Sequence, residues 1–259
     1  MTNLLDKTIL ITGVRDRRSI ATAVTKVVRE AGAKCIFLVK DEKIADSNSK
    51  LWNQDPVFVC DFESAQSVEK AILSILKLNR KLSGVVHSIA YGDLKGSDHR
   101  YSEIPFSKFI QAIKISAYSL NTLASGLRES LEDNASFVTY SVPDSDIVID
   151  GYGIMAAAKN VLESSVTYLA EEFGINSQIR FNCICSGLLK TNSAAAIPGF
   201  IDLHEQNNTQ SFRKKGVTHS EVANLTTFLL SDSSSGINGQ KIVIDAGASK
   251  NLSNTKFRS

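Results

Sequence analysis

The chain has 259 residues, 43% of them apolar and 22% charged, and its formal net charge of +2 argues against a protein built mainly to bind nucleic acid or an anionic membrane surface. No apolar run is long enough to span a bilayer, and the first residues show no secretion signal. We therefore expect a cytoplasmic globular protein with one sizeable hydrophobic core.

Strand-like and helix-like segments alternate along the chain. In order, the patterns predict strand 8–12, helix 19–31, strand 34–39, strand 57–60, helix 64–78, strand 84–89 and helix 105–131. They continue with strand 135–140, helix 152–173, strand 179–184, helix 218–230 and strand 241–245. The helix at 218–230 begins with Thr218-x-x-Glu221, which has the spacing of a capping box.

The predicted strands are short and apolar on both faces, as is typical of a parallel sheet covered by helices on both sides. Repeated strand–helix–strand units predict an α/β fold with one doubly wound, Rossmann-like parallel sheet of about seven strands in a single domain. Such sheets bind ligands beyond the carboxyl ends of their strands. Two stretches, 141–151 and 188–216, break the alternation after strand ends. We expect both to lie beside a substrate, the second as a lid.

The four cysteines, Cys35, Cys60, Cys183 and Cys185, lie in apolar, strand-like segments and form no Cys-x-x-Cys pair. The four histidines add no ligand spacing typical of a metal site. We therefore predict buried structural thiols and no metal.

The segment 13–23, between the first strand and its helix, is a candidate for dinucleotide binding. A pyrophosphate can bind the amides of a helix N-terminus, and Gly13 permits the tight turn that precedes it. Ser19 would either cap the helix or contact a phosphate. The general Gly-x-Gly-x-x-Gly fingerprint is absent, so an ordinary capped turn fits this segment alone equally well.

Thr12-Gly13-Val14 and Ser19-Ile20-Ala21 together resemble the glycine-poor cofactor loop of the bacterial enoyl-acyl-carrier-protein reductases, which belong to the short-chain dehydrogenase superfamily. Other segments resemble the same family in the same order, from about residue 3 to residue 248. They are Cys60-Asp61, His87-Ser-Ile-Ala90, Ile115-Ser-Ala-Tyr-Ser119, Tyr140, Tyr152-x6-Lys159, Arg180-Phe-Asn182 to Ser186-Gly187, Leu229-Leu-Ser-Asp232 and Val243-Ile-Asp245.

The spacing of Tyr152 and Lys159 is the most specific of these similarities. The commoner short-chain dehydrogenases carry Tyr-x-x-x-Lys, whereas here position 156 is alanine and the lysine follows the tyrosine by seven residues. Seven residues nearly complete two helical turns, so the two side chains share a face about 10 Å apart along the axis. This longer separation is the one found in the enoyl reductases.

The resemblance implies NAD(P)H-dependent reduction of the carbon–carbon double bond of trans-2-enoyl thioesters, carried by acyl carrier protein or coenzyme A. It implies that Tyr152 donates a hydrogen bond to the thioester oxygen as an enolate develops there. It further implies that Lys159 binds the nicotinamide ribose and that Tyr140 is a second active-site tyrosine. For Tyr140, packing of a strand-end aromatic ring on the core remains the alternative.

Other contacts are implied position by position. Substrate contacts are implied at Tyr91, Tyr140, Tyr152 and Met155. Cofactor contacts are implied at Gly13, Ser19, Ile20, Lys40, Asp61, Phe62, Ser88, Ile89, Ala90, Lys159, Gly187, Leu189 and Thr191. For Asp61, a helix N-terminal cap remains the alternative.

The choice between NADH and NADPH depends on the end of the second strand, which reads Lys40-Asp41-Glu42. An acidic residue there favours a free ribose 2′-hydroxyl, and a basic residue favours a 2′-phosphate. Both cofactors stay open, with the adjacent Asp41 and Glu42 favouring NADH.

The resemblance also implies a homotetramer built on the helices 105–131 and 152–173. Both helices carry apolar residues on more than one face, so that one face can pack on the sheet and another on a partner subunit. These residues include Leu120, Leu123, Val161, Leu162, Val166 and Leu169.

Several positions depart from the family pattern. Ala23 replaces a glycine, Leu188 replaces a proline, and Ser141-Val142 follows Tyr140 in place of Leu-Gly. The connection to Tyr152 is about two residues longer than in typical members, and 198–215 matches the family's lid poorly. These departures keep two alternatives open: a short-chain reductase acting on a different thioester or carbonyl, and a non-catalytic dinucleotide-binding protein.

Overall fold

Seven parallel strands form one sheet in the computed structural model, which describes residues 3–93 and 100–251. They are β1 (Thr8–Thr12), β2 (Lys34–Val39), β3 (Val57–Val59), β4 (Leu82–His87), β5 (Leu131–Ser141), β6 (Arg180–Ser186) and β7 (Lys241–Ile244). The strand order is β3-β2-β1-β4-β5-β6-β7. The predicted doubly wound sheet is confirmed.

Helices cover both faces of this sheet. They are α1 (Ile20–Glu30), α2 (Glu42–Ser47), α3 (Ser49–Trp52), α4 (Ala65–Leu76), α5 (Phe106–Ile113), α6 (Ser119–Gly126), α7 (Gly153–Gly174), α8 (Phe200–Gln210) and α9 (His219–Leu230). The capping box of Thr218 and Glu221 at the start of α9 is present as predicted.

Three predictions about the helices need correction. The single helix expected over 105–131 is two helices, α5 and α6, joined by a wide π-helical turn at Lys114–Tyr118. The polar helices α2 and α3 were not predicted. The stretch 188–216, expected to be irregular, contains α8.

Side chains alternate between the two faces of the sheet and build two apolar clusters. Leu10, Phe137 and Phe181 face α4, α6 and α7, and the rings of Phe137 and Phe181 stack with centroids 4.3 Å apart. Ile9 and Ile11 face α1 and α9. A third cluster, which brings α5, α7 and α8 together, contains Ala112, Tyr152, Ile154, Met155, Ile197 and Phe200.

The strand order reverses between β1 and β4. From β1 the chain proceeds to β2 and β3 on one side, whereas β4 to β7 lie on the other side. The connections that leave β1 and β4 therefore diverge, and a crevice opens at the carboxyl ends of these two strands. Within the described ranges, no helix is long and apolar enough to cross a membrane.

Candidate active site

The crevice between β1 and β4 is shaped by the close approach of Gly13 to Ser88. Gly13 has a φ of +81°, and a Cβ atom at this position would collide with the carbonyl oxygen of Ser88. The amide of Ser88 donates to Oγ1 of Thr12 at 3.1 Å, which ties the two strand ends together. The conformation requires glycine, as predicted for the tight turn before α1.

The side chain of Ser19, directly before α1, binds the backbone of the loop that follows β1. Oγ of Ser19 accepts hydrogen bonds from the amides of Arg15 and Asp16, both at 3.1 Å, and makes no side-chain cap of the helix. The alternative of Ser19 as a capping side chain is therefore wrong. The first turn of α1 has no acidic residue, so its first amides, at Ile20 and Ala21, fit a pyrophosphate.

The end of β2 presents a basic side chain to the crevice. Lys40 is exposed, and its ammonium nitrogen lies 5.5 Å from the centroid of the Tyr91 ring. Oδ1 of Asp41 accepts a hydrogen bond from the amide of Ile44 at 2.8 Å and caps α2. The cap uses only one of the two carboxylate oxygens, so Lys40 and the acidic pair Asp41-Glu42 both remain candidates to contact the adenosine ribose.

Asp61 and Phe62 follow β3 at the same edge of the sheet. The amide of Asp61 donates to Oγ of Ser67 at 3.0 Å, and its Oδ1 accepts from the amide of Glu63 at 3.0 Å. The cap of α4 is Ser64, so the alternative of Asp61 as a helix cap is wrong. Phe62 packs against the core on the side of α4, α6 and α7.

The predicted contacts after β4 lie at the mouth of the crevice. Ser88 and Ile89 are half-buried, and Ala90 is exposed. The next residue, Tyr91, is held through its backbone: its amide donates to Oγ of Ser116 at 2.8 Å, and this hydroxyl donates to the Tyr91 carbonyl at 2.9 Å. Ser116 lies in the wide turn between α5 and α6 and was not predicted.

The predicted contacts after β6 close the crevice from its other side. The amide of Gly187 donates to the carbonyl of Ile244 at 2.9 Å, and that of Thr191 donates to the carbonyl of Leu189 at 2.8 Å. The next side chain, Asn192, donates from Nδ2 to Oδ2 of Asp16 at 2.6 Å. The loops that follow β1 and β6 therefore touch each other across the crevice.

Lys159 lies on α7 with 6% of its surface exposed. Its Nζ donates a hydrogen bond to the carbonyl oxygen of Tyr140 at 2.7 Å. Burial lowers the pKa of Lys159, and nearby acidic groups, Cys183 and Glu163 among them, oppose this effect. The ammonium is thus anchored at the carboxyl end of β5, on the α7 side of the sheet.

Tyr152 occupies the N-cap position of α7 and is 8% exposed. Its hydroxyl makes no hydrogen bond with residues 3–93 or 100–251, so it is available to a ligand. Burial, together with the charge of Glu163, raises the pKa of Tyr152 to about 12. The phenol therefore keeps its proton near neutral pH and can donate a hydrogen bond.

The side chain of Tyr140 lies on the opposite side of the sheet from Lys159. Its side chain belongs to the cluster on the α1 and α9 side, and its hydroxyl shares a hydrogen bond of 2.9 Å with Oγ1 of Thr226 on α9. The prediction of Tyr140 as a catalytic and substrate-contacting tyrosine has to be corrected. Of the residues that follow β5, Val142 and Ile149 pack against the cluster that contains Tyr152.

Met155 lies with Tyr152 in the third cluster and is 4% exposed. A Cβ atom at Gly92 would press on its sulfur, so Met155 fills the space between α7 and the loop after β4. Ile197 and Phe200, which were not predicted, complete an apolar wall from the side of α8.

A buried carboxylate next to Lys159 was not predicted from the sequence. Glu163 is 6% exposed and lies four residues further along α7. It accepts hydrogen bonds from the hydroxyls of Ser141 and Ser145 and from the ammonium of Lys241. The i, i+4 spacing on one helix face was the available signal. The four cysteines are buried and free, as predicted.

Residues 13–249 match the family described as Enoyl-(Acyl carrier protein) reductase. The chain is 33% identical over 252 residues to the enoyl-(acyl-carrier-protein) reductase (NADPH) FabI of Staphylococcus aureus strain MRSA252, covering 95% of this chain and 98% of that protein. It is 33% identical over 253 residues to the NADH-named FabI of Synechocystis sp., with 95% and 98% covered. The crystal structure of enoyl-(acyl-carrier-protein) reductase (NADH) from Aquifex aeolicus VF5 is similar with a TM-score of 0.91 and 30% identity, over 97% of this chain and 99% of that chain.

Proposed function

Because the chain belongs to the enoyl-(acyl carrier protein) reductase family of the short-chain dehydrogenase superfamily, we propose that it reduces the carbon–carbon double bond of trans-2-enoyl thioesters in fatty acid biosynthesis. It is an oxidoreductase, and its coenzyme is NADH or NADPH. The observation that carries the proposal is the hydroxyl of the buried Tyr152, which has no hydrogen-bond partner among residues 3–93 and 100–251 and lies at the start of the helix that holds the buried Lys159.

We propose that the coenzyme binds along the carboxyl edge of the sheet. The close approach at Gly13 and the open first turn of α1 fit the pyrophosphate, and the ends of β2 and β3 lie on the adenosine side. Lys159 uses one ammonium proton on the Tyr140 carbonyl and has two further donors for the ribose hydroxyls. When bound, the reduced nicotinamide supplies the hydride for the β-carbon of the enoyl thioester.

The role proposed for Tyr152 is to stabilise the charge that develops on the thioester oxygen. Its phenol keeps its proton because the pKa is raised to about 12, and its hydroxyl is not already committed to the described part of the protein. A preorganised donor in a site that excludes water is an effective means of lowering a barrier of this kind. The buried ammonium of Lys159 adds positive potential at the same end of β5.

The acyl chain is proposed to lie against the third cluster. Met155, Ile197 and Phe200 offer an apolar surface beside Tyr152, which fits a hydrocarbon chain and excludes water. Ile197 and Phe200 belong to the segment 188–216, for which we propose the role of a lid over the acyl chain. The thioester is carried by acyl carrier protein or coenzyme A.

The test is whether the purified protein oxidises NADH or NADPH, measured as the loss of absorbance of the reduced nicotinamide. We expect turnover with crotonyl thioesters of acyl carrier protein or coenzyme A, and little with a panel of ketones. Turnover only with ketones would favour the alternative of a reductase that acts on a different carbonyl. The differences of the segment 188–216 from the family pattern are compatible with this alternative. Binding of coenzyme without any turnover would favour a non-catalytic protein.

We also propose a homotetramer, now with fewer residues available for its interfaces. Of the apolar residues named on these two helices, Val161 is 39% exposed, whereas Leu120, Leu123, Leu162, Val166 and Leu169 are buried in the monomer. Tyr118 and Tyr168 add exposed aromatic surface, and a groove of about 700 Å³ lies between α4, α6 and α7. Light scattering at micromolar concentration tests this, and a monomeric mass would contradict it. The cytoplasmic location stays a prediction.

A further inference from the structure

Two buried charged side chains hold the end of β5 from successive turns of α7. Lys159 and Glu163 are each 6% exposed. Lys159 donates to the carbonyl of Tyr140, and Glu163 accepts from the hydroxyl of the next residue, Ser141. The positive Lys159 and the negative Glu163, four positions apart on α7, thus bind two adjacent residues of β5.

Glu163 also holds the connection that leads from β5 to Tyr152. The single hydroxyl proton of Ser145 is shared between Oε2 of Glu163 at 3.1 Å and Oδ1 of Asn160 at 2.8 Å, and Nδ2 of Asn160 donates to the Ser145 carbonyl at 3.3 Å. The last residue of β5, Ser141, and Ser145 within the connection are therefore both bound to α7, and the connection ends at the N-cap of the same helix.

A carboxylate with this burial is costly unless its oxygens are paired and hydrogen-bonded. The two serine hydroxyls satisfy part of that requirement, and the ammonium of Lys241 at 3.0 Å completes it. The side chain of Lys241 is 57% exposed, so solvent screens its charge, whereas the charge of Glu163 remains inside the protein next to the site.

We propose that Glu163 is a positioning residue for the reduction: it fixes the connection 142–151 to α7 so that Tyr152 faces the substrate, and it places a buried negative charge one helical turn from Lys159. This inference rests on the proposed function of Tyr152 and Lys159, and it adds a residue that touches neither substrate nor coenzyme.

The effect of Glu163 on the protonation of Lys159 depends on the other titratable groups that face Lys159. On β4 this is His87, which burial keeps neutral because its pKa is lowered to about 3. On β6 these are Cys183 and Cys185, and hydrogen bonding to Cys185 together with burial raises the pKa of the Cys183 thiol. On α7 it is Glu163, which favours the protonated form of Lys159 against the effect of burial.

Two variants should therefore change the pH dependence in opposite directions. Glu163→Gln keeps the shape but removes the charge and one of the two acceptor oxygens that the serines use, so the connection should loosen and Lys159 should lose its proton at a lower pH. Tyr152 follows in the same direction, because Glu163 also raises its pKa. Lys241→Gln removes the partner that offsets Glu163 and should shift the same step to a higher pH.

The measurement is the pH dependence of turnover with a saturating crotonyl thioester for the wild type and both variants. We expect the alkaline limb to move down by about one pH unit in Glu163→Gln, as for loss of a nearby opposite charge, and up in Lys241→Gln. Hydrogen exchange of the coenzyme-free protein provides the second readout. Amides of residues 142–151 should exchange faster in Glu163→Gln and remain near wild type in Lys241→Gln.

An unchanged alkaline limb in folded Glu163→Gln, or unchanged exchange over 142–151, would overturn the inference. If Glu163→Gln does not fold, the test depends on Lys241→Gln. An alkaline limb of the pH profile that stays in place or moves down in Lys241→Gln would then overturn the inference. A wild type without enoyl reduction would instead refute the proposed function. In that case, the exchange measurement alone decides whether Glu163 fixes the connection.

Discussion

The ammonium of Lys159 lies 2.7 Å from the carbonyl oxygen of Tyr140, although the ring of this tyrosine lies on the far side of the sheet. The Tyr140 hydroxyl bonds to Thr226 on α9. Because side chains alternate along a strand, one residue can offer its backbone to a site and its ring to the opposite core. Tyr140 therefore serves Lys159 without offering its hydroxyl to a substrate.

Replacement of Tyr152 by phenylalanine should lower turnover by roughly a hundredfold, because it removes a donor that acts most strongly in the transition state. Coenzyme affinity should change little. The matched control is Tyr140→Phe, which loses the bond to Thr226 and should cost about 1 kcal/mol of unfolding free energy without changing turnover per folded molecule. The measurements are steady-state kinetics and denaturant unfolding. Equal losses of turnover in both variants would contradict the roles assigned here.

Replacement of Lys159 should weaken coenzyme binding as well as turnover. The ammonium is proposed to hold the nicotinamide ribose, and loss of charge-assisted hydrogen bonds should raise the dissociation constant by roughly tenfold or more. Lys159→Ala removes the whole side chain, and Lys159→Met keeps its volume in the core. Fluorescence titration of both variants checks this. A coenzyme affinity equal to that of the wild type would leave Lys159 without its binding role.

Lys40 should determine a preference for NADPH. Its exposed ammonium lies at the carboxyl end of β2, where a basic group favours a ribose 2′-phosphate. Lys40→Gln should raise the dissociation constant of NADPH by roughly tenfold and leave that of NADH nearly unchanged. Asp41→Asn is the control, since asparagine also caps α2 and should not alter the ratio. If Asp41→Asn changed the ratio of the NADPH and NADH dissociation constants and Lys40→Gln did not, the argument for NADH from the acidic residues would be supported.

The stability of the protein should fall in mild acid because of His87. Burial lowers its pKa from 6.5 to about 3, while its ring nitrogens bond to Thr139 and Ser119 at 2.8 and 2.7 Å. The unfolded chain takes up a proton near its ordinary pKa and the folded chain does not. Stability is therefore complete above pH 6.5 and declines as the pH falls towards 3, by up to about 1.4 kcal/mol per pH unit.

Chemical denaturation between pH 7 and pH 5 tests this, because most carboxylates titrate below that window. His87→Gln keeps groups that can bond to both hydroxyls but cannot take up the proton. We expect its unfolding free energy to depend less steeply on pH than that of the wild type. Identical slopes would mean that His87 is not the group responsible.

The proposed lid should be the least protected part of the fold without ligand. Phe200 is the only buried residue of α8, and the exposed Ile201 leaves apolar surface in solvent. Amides of residues 194–215 should exchange quickly in the free protein and slowly when coenzyme and an acyl analogue are both bound. Full protection before any ligand is added would argue against a lid.

The apolar pattern was sufficient to predict the sheet because buried parallel strands are apolar on both faces. The bounds of β1 and β2 agree with the prediction. The same property concealed the orientation of Tyr140: when both faces are apolar, the sequence does not tell which face a given side chain occupies. The polar helix α8 has no apolar stripe to reveal it, since Phe200 alone is buried there.

The candidate site was predictable where residues are close in sequence and hidden where partners are distant. Tyr152 and Lys159 lie on one helix, so their spacing was informative. Glu163 lies on the same helix, but its partners lie on β5, in the following connection and on β7. No local pattern indicates that these segments meet, because the register and twist of the sheet bring them together.

The segment 13–23 was a weak signal by sequence, yet the structural setting of Gly13 makes it one of the least replaceable positions among the described residues. Any side chain, even a methyl group, would meet the backbone oxygen of Ser88, and two packed strand ends have no room to yield. We therefore expect that no substitution of Gly13 is tolerated. Ala23 is half-buried on the following helix, and we expect that several small residues can replace it. A loop can thus be poor in glycine and still depend entirely on one.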